Sequence, residues 1–217
     1  MAYRYDEFAP GEIYHLYTRG VEQRTIFRSD RDRVRFLELL VHCLPPEETM
    51  SYSTARKLGR ESELTKKGRG LVDVLCYCLM DNHFHLLIRE NIGKGTSVYM
   101  QRVLNSYAKF FNLSQRRSGP LFIRPFKAVL IDGDDYFLQV SRYIHLNPYI
   151  AHMTKNPLEY RWSSLSEYTR PTRPKSCHTS LLHSMVDAEE YKEFVRDHAD
   201  YARSLADTQH LLIDYDD

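Results

Sequence analysis

Four segments of the chain have the β-branched and aromatic content of strands, and two of them lie close enough to pair directly. The segments 71–79 and 84–90 are separated by a short turn at Asp81-Asn82, which predicts a β-hairpin. An earlier strand is expected at 12–18 and a later one at 126–131. The sequence therefore predicts one sheet of four strands.

Apolar residues at helical spacing lie between these strands and after the last one. Ser29 or Asp30 is expected to cap a helix that Pro45-Pro46 ends, and a second helix with one apolar stripe is expected over 97–113. Asp132-Gly133-Asp134 is expected to cap a third helix that ends at Asn147-Pro148, near Leu146.

The order of elements is β-α-β-β-α-β followed by a helix, which is typical of an α+β, ferredoxin-like split antiparallel sheet with helices on one face. Residues 1–168 are expected to form one domain, with 47–70 as an exposed polar insertion. The only tryptophan, Trp162, is expected to cover the core. Residues 169–217 form a C-terminal extension, with a helix over 188–198 and a frayed acidic end from Asp214.

Composition limits the classes of protein that the chain can belong to. Its 217 residues suffice for one ordinary domain, and no stretch has the length and apolarity of a membrane span or of a leader, so a cytoplasmic location is expected. Cys43 and Cys177 are isolated, while Cys76 and Cys78 lie in an apolar strand, which favours reduced, buried thiols.

Charge is distributed unevenly, although the formal net charge is only +1. The segment 91–131 contains basic residues and no acidic one, whereas 186–217 carries ten acids and three bases. A basic surface of this kind favours a phosphate-backbone ligand, and a solvated helix face is the alternative. We expect the DNA-binding residues to be Lys94, Arg102, Lys109, Arg116, Arg117, Arg124 and Lys127, together with Arg142 on the last predicted helix.

Two histidines one residue apart follow the hairpin turn. Successive strand residues point to opposite faces, so His83 and His85 share one face while Phe84 enters the core. On the last helix, Tyr143 and Asn147 are four residues apart and project from one helix face. The amide oxygen of Asn147 could complete a three-ligand site with the two imidazoles, and such a nitrogen and oxygen set accepts Mn²⁺ or Mg²⁺.

Three blocks of the chain resemble the single-tyrosine HUH transposases, specifically their REP-associated tyrosine transposase branch. The match spans about Tyr14 to Tyr168, and its order, spacing and element types agree. The blocks are Tyr14-His15-Leu16-Tyr17-Thr18-Arg19-Gly20, Met80-Asp81-Asn82-His83-Phe84-His85-Leu86-Leu87 and Ser141-Arg142-Tyr143-Ile144-His145-Leu146-Asn147-Pro148. The chain departs from the pattern at Asp81, where relatives usually have proline, and in its long insertion.

The resemblance implies that His83 and His85 are the metal-binding pair, Asn147 the third ligand and Tyr143 the nucleophile. It implies cleavage and rejoining of single-stranded DNA at hairpins through a 5′-phosphotyrosine, with a divalent metal ion (Mg²⁺ or Mn²⁺) as cofactor. The protein is then expected to act as a monomer or a homodimer. Three aromatic residues, Phe110, Phe122 and Phe126, are expected to stack on unpaired bases.

Other interpretations remain open at the level of sequence. Tyr107 is a rival nucleophile, although its spacing to Leu104 and Phe111 favours a place in the core. Cys76 and Cys78 could join the histidine pair in a structural zinc site, but their separation is tighter than usual. A non-catalytic nucleic-acid-binding sheet is the remaining alternative. His145 is expected to be structural or to contact DNA, and His15 receives no role.

Overall fold

The computed structural model describes residues 7–47, 50–59, 69–170 and 176–209. Four strands form one antiparallel sheet in the order β2-β3-β1-β4, which confirms the predicted α+β fold class. The strands are β1 (Ile13–Arg19), β2 (Val72–Leu79), β3 (His83–Glu90) and β4 (Lys127–Ile131).

Eight α-helices lie in the described part of the chain, with short 3₁₀ helices over Val21–Gln23 and Pro157–Glu159. The helices are α1 (Asp30–His42), α2 (Tyr52–Lys57), α3 (Gly95–Ser114), α4 (Asp134–Ile150), α5 (Leu165–Thr169), α6 (Ser180–His183), α7 (Ala188–Asp197) and α8 (Ala199–Gln209). None of those described is long and apolar enough to cross a membrane.

Helices α1 and α3 pack on one face of the sheet, where Phe84 and Leu86 of β3 enter a core with Phe36 and Tyr107. The Phe36 ring lies 4.8 Å from that of Phe84. Helix α4 packs on the other face, against a second core that includes Leu87. The ferredoxin-like sheet is therefore followed, as predicted, by a further helix, α4, which lies on the face that carries the histidine pair.

Local capping explains why α1 begins where the sequence predicts. Ser29 is the N-cap residue, and its side chain and that of Asp32 bind each other's backbone N–H groups in a capping box. The predicted start of α1 is thus confirmed.

Trp162 is buried against the first core, and its carbonyl accepts a hydrogen bond from Leu79 N–H (2.9 Å). The prediction that the tryptophan covers the core is also confirmed.

The predicted start of α4 is confirmed, but its predicted end is wrong. Its N-cap residue is Gly133, which offers no side-chain cap, and the helix continues through Pro148 to Ile150. Proline removes one N–H donor, but the following Tyr149 and Ile150 are both buried, and their packing stabilises the extra turn. Beyond Pro148 the ladder resumes, because Ala151 N–H donates to the Asn147 carbonyl (2.9 Å).

Most of the described residues of the predicted insertion at 47–70 are exposed, as expected, but the segment also contains a helix with two buried residues. Residues 50–59 contain α2, whose Tyr52 and Ala55 are buried. The Arg35 guanidinium lies 4.3 Å from the Tyr52 ring centre, which fixes α2 against α1. Residues 48–49 and 60–68, like the acidic end from Asp214, lie outside the described residues.

The helix predicted over 188–198 is confirmed as α7, and it packs on α4. Tyr191 and Val195 of α7 are fully buried in the second core together with Phe137 and Ile144 of α4. Asp187 caps α7 through a capping box with Glu190. The C-terminal helices therefore form part of the support for α4.

Candidate active site

The pairing of β1 with β3 determines which side chains meet beneath α4. Tyr17 lies directly opposite His85, and Arg19 lies directly opposite His83. Residues opposite each other in an antiparallel pair project to the same face. The face covered by α4 therefore presents both histidines together with alternate residues of β1.

His85 is bound to a third histidine from β1. His15 Nε2 and His85 Nδ1 share a hydrogen bond of 2.9 Å, and both side chains are buried. Burial lowers the pKa of His15 to about 4, and burial together with the charges of His15 and His83 lowers the pKa of His85 well below 6.5. Both rings are therefore neutral at neutral pH.

His83 is held by the hairpin turn that precedes it. Its Nδ1–H donates to Asn82 Oδ1 (2.7 Å), and its carbonyl accepts from Met80 N–H (2.9 Å). Asp81 anchors the turn, since its carbonyl accepts from Ile26 N–H (2.8 Å) and its carboxylate pairs with Arg33. An aspartate thus fits the turn that precedes His83.

Tyr143 of α4 lies over the histidines. Its ring is nearly perpendicular to that of His85, with the ring centres 5.7 Å apart, and it lies 6.1 Å from the ring of His15. His83 and His85 have their ring centres 5.1 Å apart. One phenol and three imidazoles therefore form a cluster between the sheet and α4, in which His15 and His85 are buried and His83 and Tyr143 are half-buried.

Asn147 lies one helical turn after Tyr143 and is buried. Its Nδ2 donates to the Tyr143 carbonyl (3.2 Å), so the amide nitrogen is used on the helix backbone and the amide oxygen is the atom left for a ligand role. Tyr143 and Asn147 therefore lie one turn apart on the same face of α4, as their spacing predicts.

The opposite side of α4 is fixed by a buried polar network. His145 Nδ1 is bonded to Tyr191 Oη (2.7 Å) and His145 Nε2 to Ser164 Oγ (2.8 Å). Tyr191 Oη in turn donates to Ser141 Oγ (2.9 Å). His145 is fully buried, so its structural role is confirmed and a DNA contact is excluded for its side chain. The network sets the rotation of α4 and hence the direction of Tyr143.

The basic residues of α3 do not lie beside the histidine pair. Helix α3 packs on the far face of the sheet, so Arg102 and Lys109 are separated from Tyr143 by the sheet itself. Arg102 donates to the carbonyls of Pro45 (2.6 Å) and Pro46 (3.2 Å), which anchors the loop after α1. Nearness in sequence to the histidines did not give nearness in space.

The other predicted DNA-binding residues are spread over several surfaces. Lys94, Arg116 and Arg124 are exposed, and Arg117 binds the Asn112 side chain and the Pro120 carbonyl (3.0 Å for the latter). Arg142 lies on α4, with its guanidinium 4.0 Å from the Phe194 ring centre. Lys127 alone of the basic stretch lies on the face of the histidines, 5.9 Å from the Tyr17 ring centre.

Burial also tests the roles predicted for Tyr107 and for the three aromatic residues expected to stack on bases. Tyr107 is fully buried, its hydroxyl donates to the Ile26 carbonyl (2.6 Å), and burial raises its pKa, so its place in the core is confirmed. Phe122 is also buried, and the prediction that it stacks on bases is wrong. Phe110 and Phe126 are half-buried.

The cysteine pair does not complete a metal site with the histidines. All four cysteines are free and buried, as predicted. Burial raises the pKa of Cys76 to about 12, and it also raises that of Cys78, whereas zinc binds the thiolate. Within residues 7–47, 50–59, 69–170 and 176–209, no three His, Cys, Asp or Glu side chains are grouped to hold a metal ion. A site at His83 and His85 therefore needs a ligand of another type.

Three residues of β1 lie on the same face of the sheet as the histidine pair, and no role at the site was predicted for them from sequence. They are His15, Tyr17 and Arg19, which alternate along the strand and so share one face. The alternation was readable, but their approach to His85 and His83 depends on the register of β1 against β3. A strand whose core face is apolar and whose other face carries His, Tyr and Arg is the signal that could have identified them.

A comparison with solved structures finds a REP-associated tyrosine transposase bound to a REP hairpin. The TM-score is 0.50 with 12% sequence identity, and the match covers 80% of this chain and 89% of that chain. Searches against family models and against curated proteins find no match. At this identity the likeness shows the fold, an antiparallel four-stranded sheet with helices.

Proposed function

We propose that this protein cleaves and rejoins single-stranded DNA at hairpins through a covalent tyrosine intermediate, as a member of the REP-associated branch of single-tyrosine HUH transposases. The main support is the approach of Tyr143 to His85 beneath α4, with ring centres 5.7 Å apart, together with His83, whose ring centre lies 5.1 Å from that of His85. The neighbour of similar fold is a transposase bound to a REP hairpin.

We assign His83, His85 and Asn147 as the residues that hold a divalent metal ion, Mg²⁺ or Mn²⁺. The two imidazoles suit this role, because Nδ1 of His83 is engaged by Asn82 and Nδ1 of His85 by His15, so Nε2 is the nitrogen of each ring that would bind the ion. The neutral state of His85 is the state that binds metal. When bound, the ion supplies Lewis-acid polarisation of a phosphate oxygen.

Tyr143 then acts as the nucleophile. Its Oη loses a proton and forms a bond to the phosphorus, while the bond from phosphorus to the 3′-oxygen breaks and that oxygen leaves as a 3′-hydroxyl after taking up a proton. The 5′-phosphotyrosine retains the energy of the phosphodiester bond, so the reverse step rejoins DNA without nucleotide hydrolysis. Helix α4 contributes by holding Tyr143 in one orientation over the histidines.

Charge on the same face supports a phosphate ligand. Arg19 lies opposite His83, and Lys127 lies beside Tyr17, which is opposite His85. These two cations flank the histidine cluster on β1 and β4. We propose that they help to position the DNA backbone at the site, in a protein that acts in the cytoplasm as a monomer or homodimer.

The non-catalytic alternative is less well supported. Nucleic-acid-binding sheets of that class stack bases on exposed aromatic residues of an open face. Here one face of the sheet is covered by α1 and α3 and the other by α4.

The proposal is tested by incubating the protein with Mn²⁺ and a pool of single-stranded hairpin oligonucleotides, and resolving the products on a denaturing gel. The wild-type protein should form a protein–DNA adduct that survives denaturation, and Tyr143→Phe should lose it while retaining DNA binding. Tyr136→Phe is the matched control, because Tyr136 lies on the same helix and is 45% exposed. A fully paired duplex should not be cut, because it must first be melted at about 1.4 kcal/mol per base-pair step.

Metal and nucleophile should also be separable. His83→Ala and His85→Ala should lose both tight Mn²⁺ binding, measured by titration calorimetry, and adduct formation, whereas Tyr143→Phe should keep Mn²⁺ affinity. An adduct that persists in Tyr143→Phe would show that the nucleophile is misassigned.

A further inference from the structure

A groove lies between α3 and β4, on the face of the sheet opposite Tyr143. Its volume is about 700 Å³, and Val98, Leu104 and Ala128 form its apolar wall. We call it the α3–β4 groove. Its size is in the range of pockets that accept one nucleotide-sized ligand.

The charge of the groove favours an anion. Lys94 and Arg124 both line it and are exposed, and the lining residues include no Asp or Glu. Arg124 Nη2 donates to Asn105 Oδ1 (2.6 Å), which orients the guanidinium. The first N–H groups of α3 are taken by the buried Glu90 carboxylate, so the two side chains, not the helix end, would bind a phosphate.

The groove also offers a surface for a planar base. Phe126 lines it and is half-buried, and the Phe8 ring lies nearly parallel to it with the ring centres 6.3 Å apart. Gln101, an exposed residue of α3, adds an amide that can donate to and accept from a base edge. Cations, an aromatic ring and an amide together match a nucleotide whose base is unpaired.

The groove and the candidate active site meet at the edge of the sheet. β4 is an edge strand, and Phe126 faces the groove while the next residue, Lys127, lies on the face of the histidines, beside Tyr17. A single strand leaving the histidine face would cross one strand width to reach the groove. Each side of this sheet edge carries a cationic side chain for the DNA backbone, Lys127 on the histidine face and Arg124 in the groove.

We infer that the α3–β4 groove binds an unpaired nucleotide of the single-stranded DNA that flanks the cleavage site. The inference rests on the proposed function for the identity of the strand, and it adds a binding site on the other face of the sheet. The phosphate lies between Lys94 and Arg124, and the base packs on Phe126.

The test compares two DNA ligands by fluorescence anisotropy, without metal so that no cleavage occurs. One is a hairpin with a short single-stranded extension and the other is the same hairpin with a flush end. The wild-type protein should prefer the extended hairpin, and Phe126→Ala and Arg124→Gln should each reduce this preference about tenfold, the loss expected for one base–aromatic stack or one phosphate contact. Affinity for the flush hairpin should remain unchanged.

Matched controls separate the groove from general electrostatics. Lys109→Gln removes an exposed cation of α3 that does not line the groove, and it should weaken both ligands equally. An extension with abasic sites should bind the wild-type protein as weakly as the normal extension binds Phe126→Ala. Phe126→Leu should lose the stacking contact but keep the fold, and a thermal melt checks that the fold is kept.

The outcomes distinguish this inference from the proposed function. If no substrate is ever cleaved but the preference for the extension is present and is lost in both groove variants, the groove assignment stands and the proposed enzyme activity falls. If cleavage occurs but the preference is absent, or is insensitive to Phe126→Ala and Arg124→Gln, the groove does not bind the strand.

Discussion

Replacement of His15 by alanine tests whether the buried hydrogen bond to His85 orients a metal-binding imidazole. The bond is 2.9 Å long, and His85 is fully buried, so the substitution leaves Nδ1 of His85 without its partner in an environment that water does not reach. An unpaired buried polar group of this kind costs about 1–3 kcal/mol of unfolding free energy. The ring of His85 is then no longer held in one orientation.

The effect on metal binding can be estimated from the same contact. Loss of a residue that orients a metal-binding histidine typically lowers metal affinity about 10–100-fold. If Mn²⁺ is present at about 100 times the wild-type Kd, it stabilises the wild-type protein by about 2.7 kcal/mol, and a hundredfold weaker site retains only about 0.4 kcal/mol of that stabilisation. Urea unfolding with and without Mn²⁺ measures this difference directly.

Two further variants make the result specific. Val129 lies opposite His15 on β4, so Val129→Ala removes apolar contact at the same position of the sheet and should leave the Mn²⁺-dependent stabilisation intact. His15→Gln provides a hydrogen-bond acceptor again and should recover part of it. If His15→Ala shows the full wild-type stabilisation by Mn²⁺, His15 does not position His85 for metal.

Two other predictions concern His145 and the cations of α3. Burial lowers the pKa of His145 from 6.5 to about 3, so below pH 6.5 the unfolded chain takes up a proton that the folded protein excludes. The free energy of unfolding should therefore fall by up to about 1.4 kcal/mol per pH unit below about 6.5 from this group. Urea titrations of His145→Gln should show a weaker dependence of stability on pH. If exposed cations of α3 and the turn after it contact DNA, Lys109→Gln combined with Arg116→Gln should lower the slope of log affinity against log salt for single-strand binding by about 0.7 per lost contact. Arg102→Gln is the control, because the Arg102 guanidinium binds the Pro45 and Pro46 carbonyls, and its loss should chiefly lower stability. An unchanged slope in the double variant would place the DNA elsewhere.

The fold was predictable because its signals are local. The capping box at Ser29 and the short turn at Asn82 are each written within a few residues, and they separate the elements correctly. The end of α4 was not predictable in this way. There the burial of Tyr149 and Ile150 against distant segments outweighs the local effect of Pro148.

The candidate site was predictable only in part, for a related reason. The placement of His83 and His85 on one face follows from alternation along a single strand. The approach of His15 follows from the register between β1 and β3, which no short stretch of sequence specifies. The position of α3 likewise depends on which face of the sheet each helix covers, so its basic residues lie away from the histidines.

The anchoring of α4 has a consequence for stoichiometry. Tyr143 reaches the histidines of its own chain, and behind it His145 and Ser141 are bonded to the C-terminal helix α7 through Tyr191. Exchanging this helix with that of a second copy would first require the buried network to be broken. Each polypeptide thus holds its own tyrosine and its own histidine pair, so under the proposed function a single chain contains every side chain assigned to the reaction.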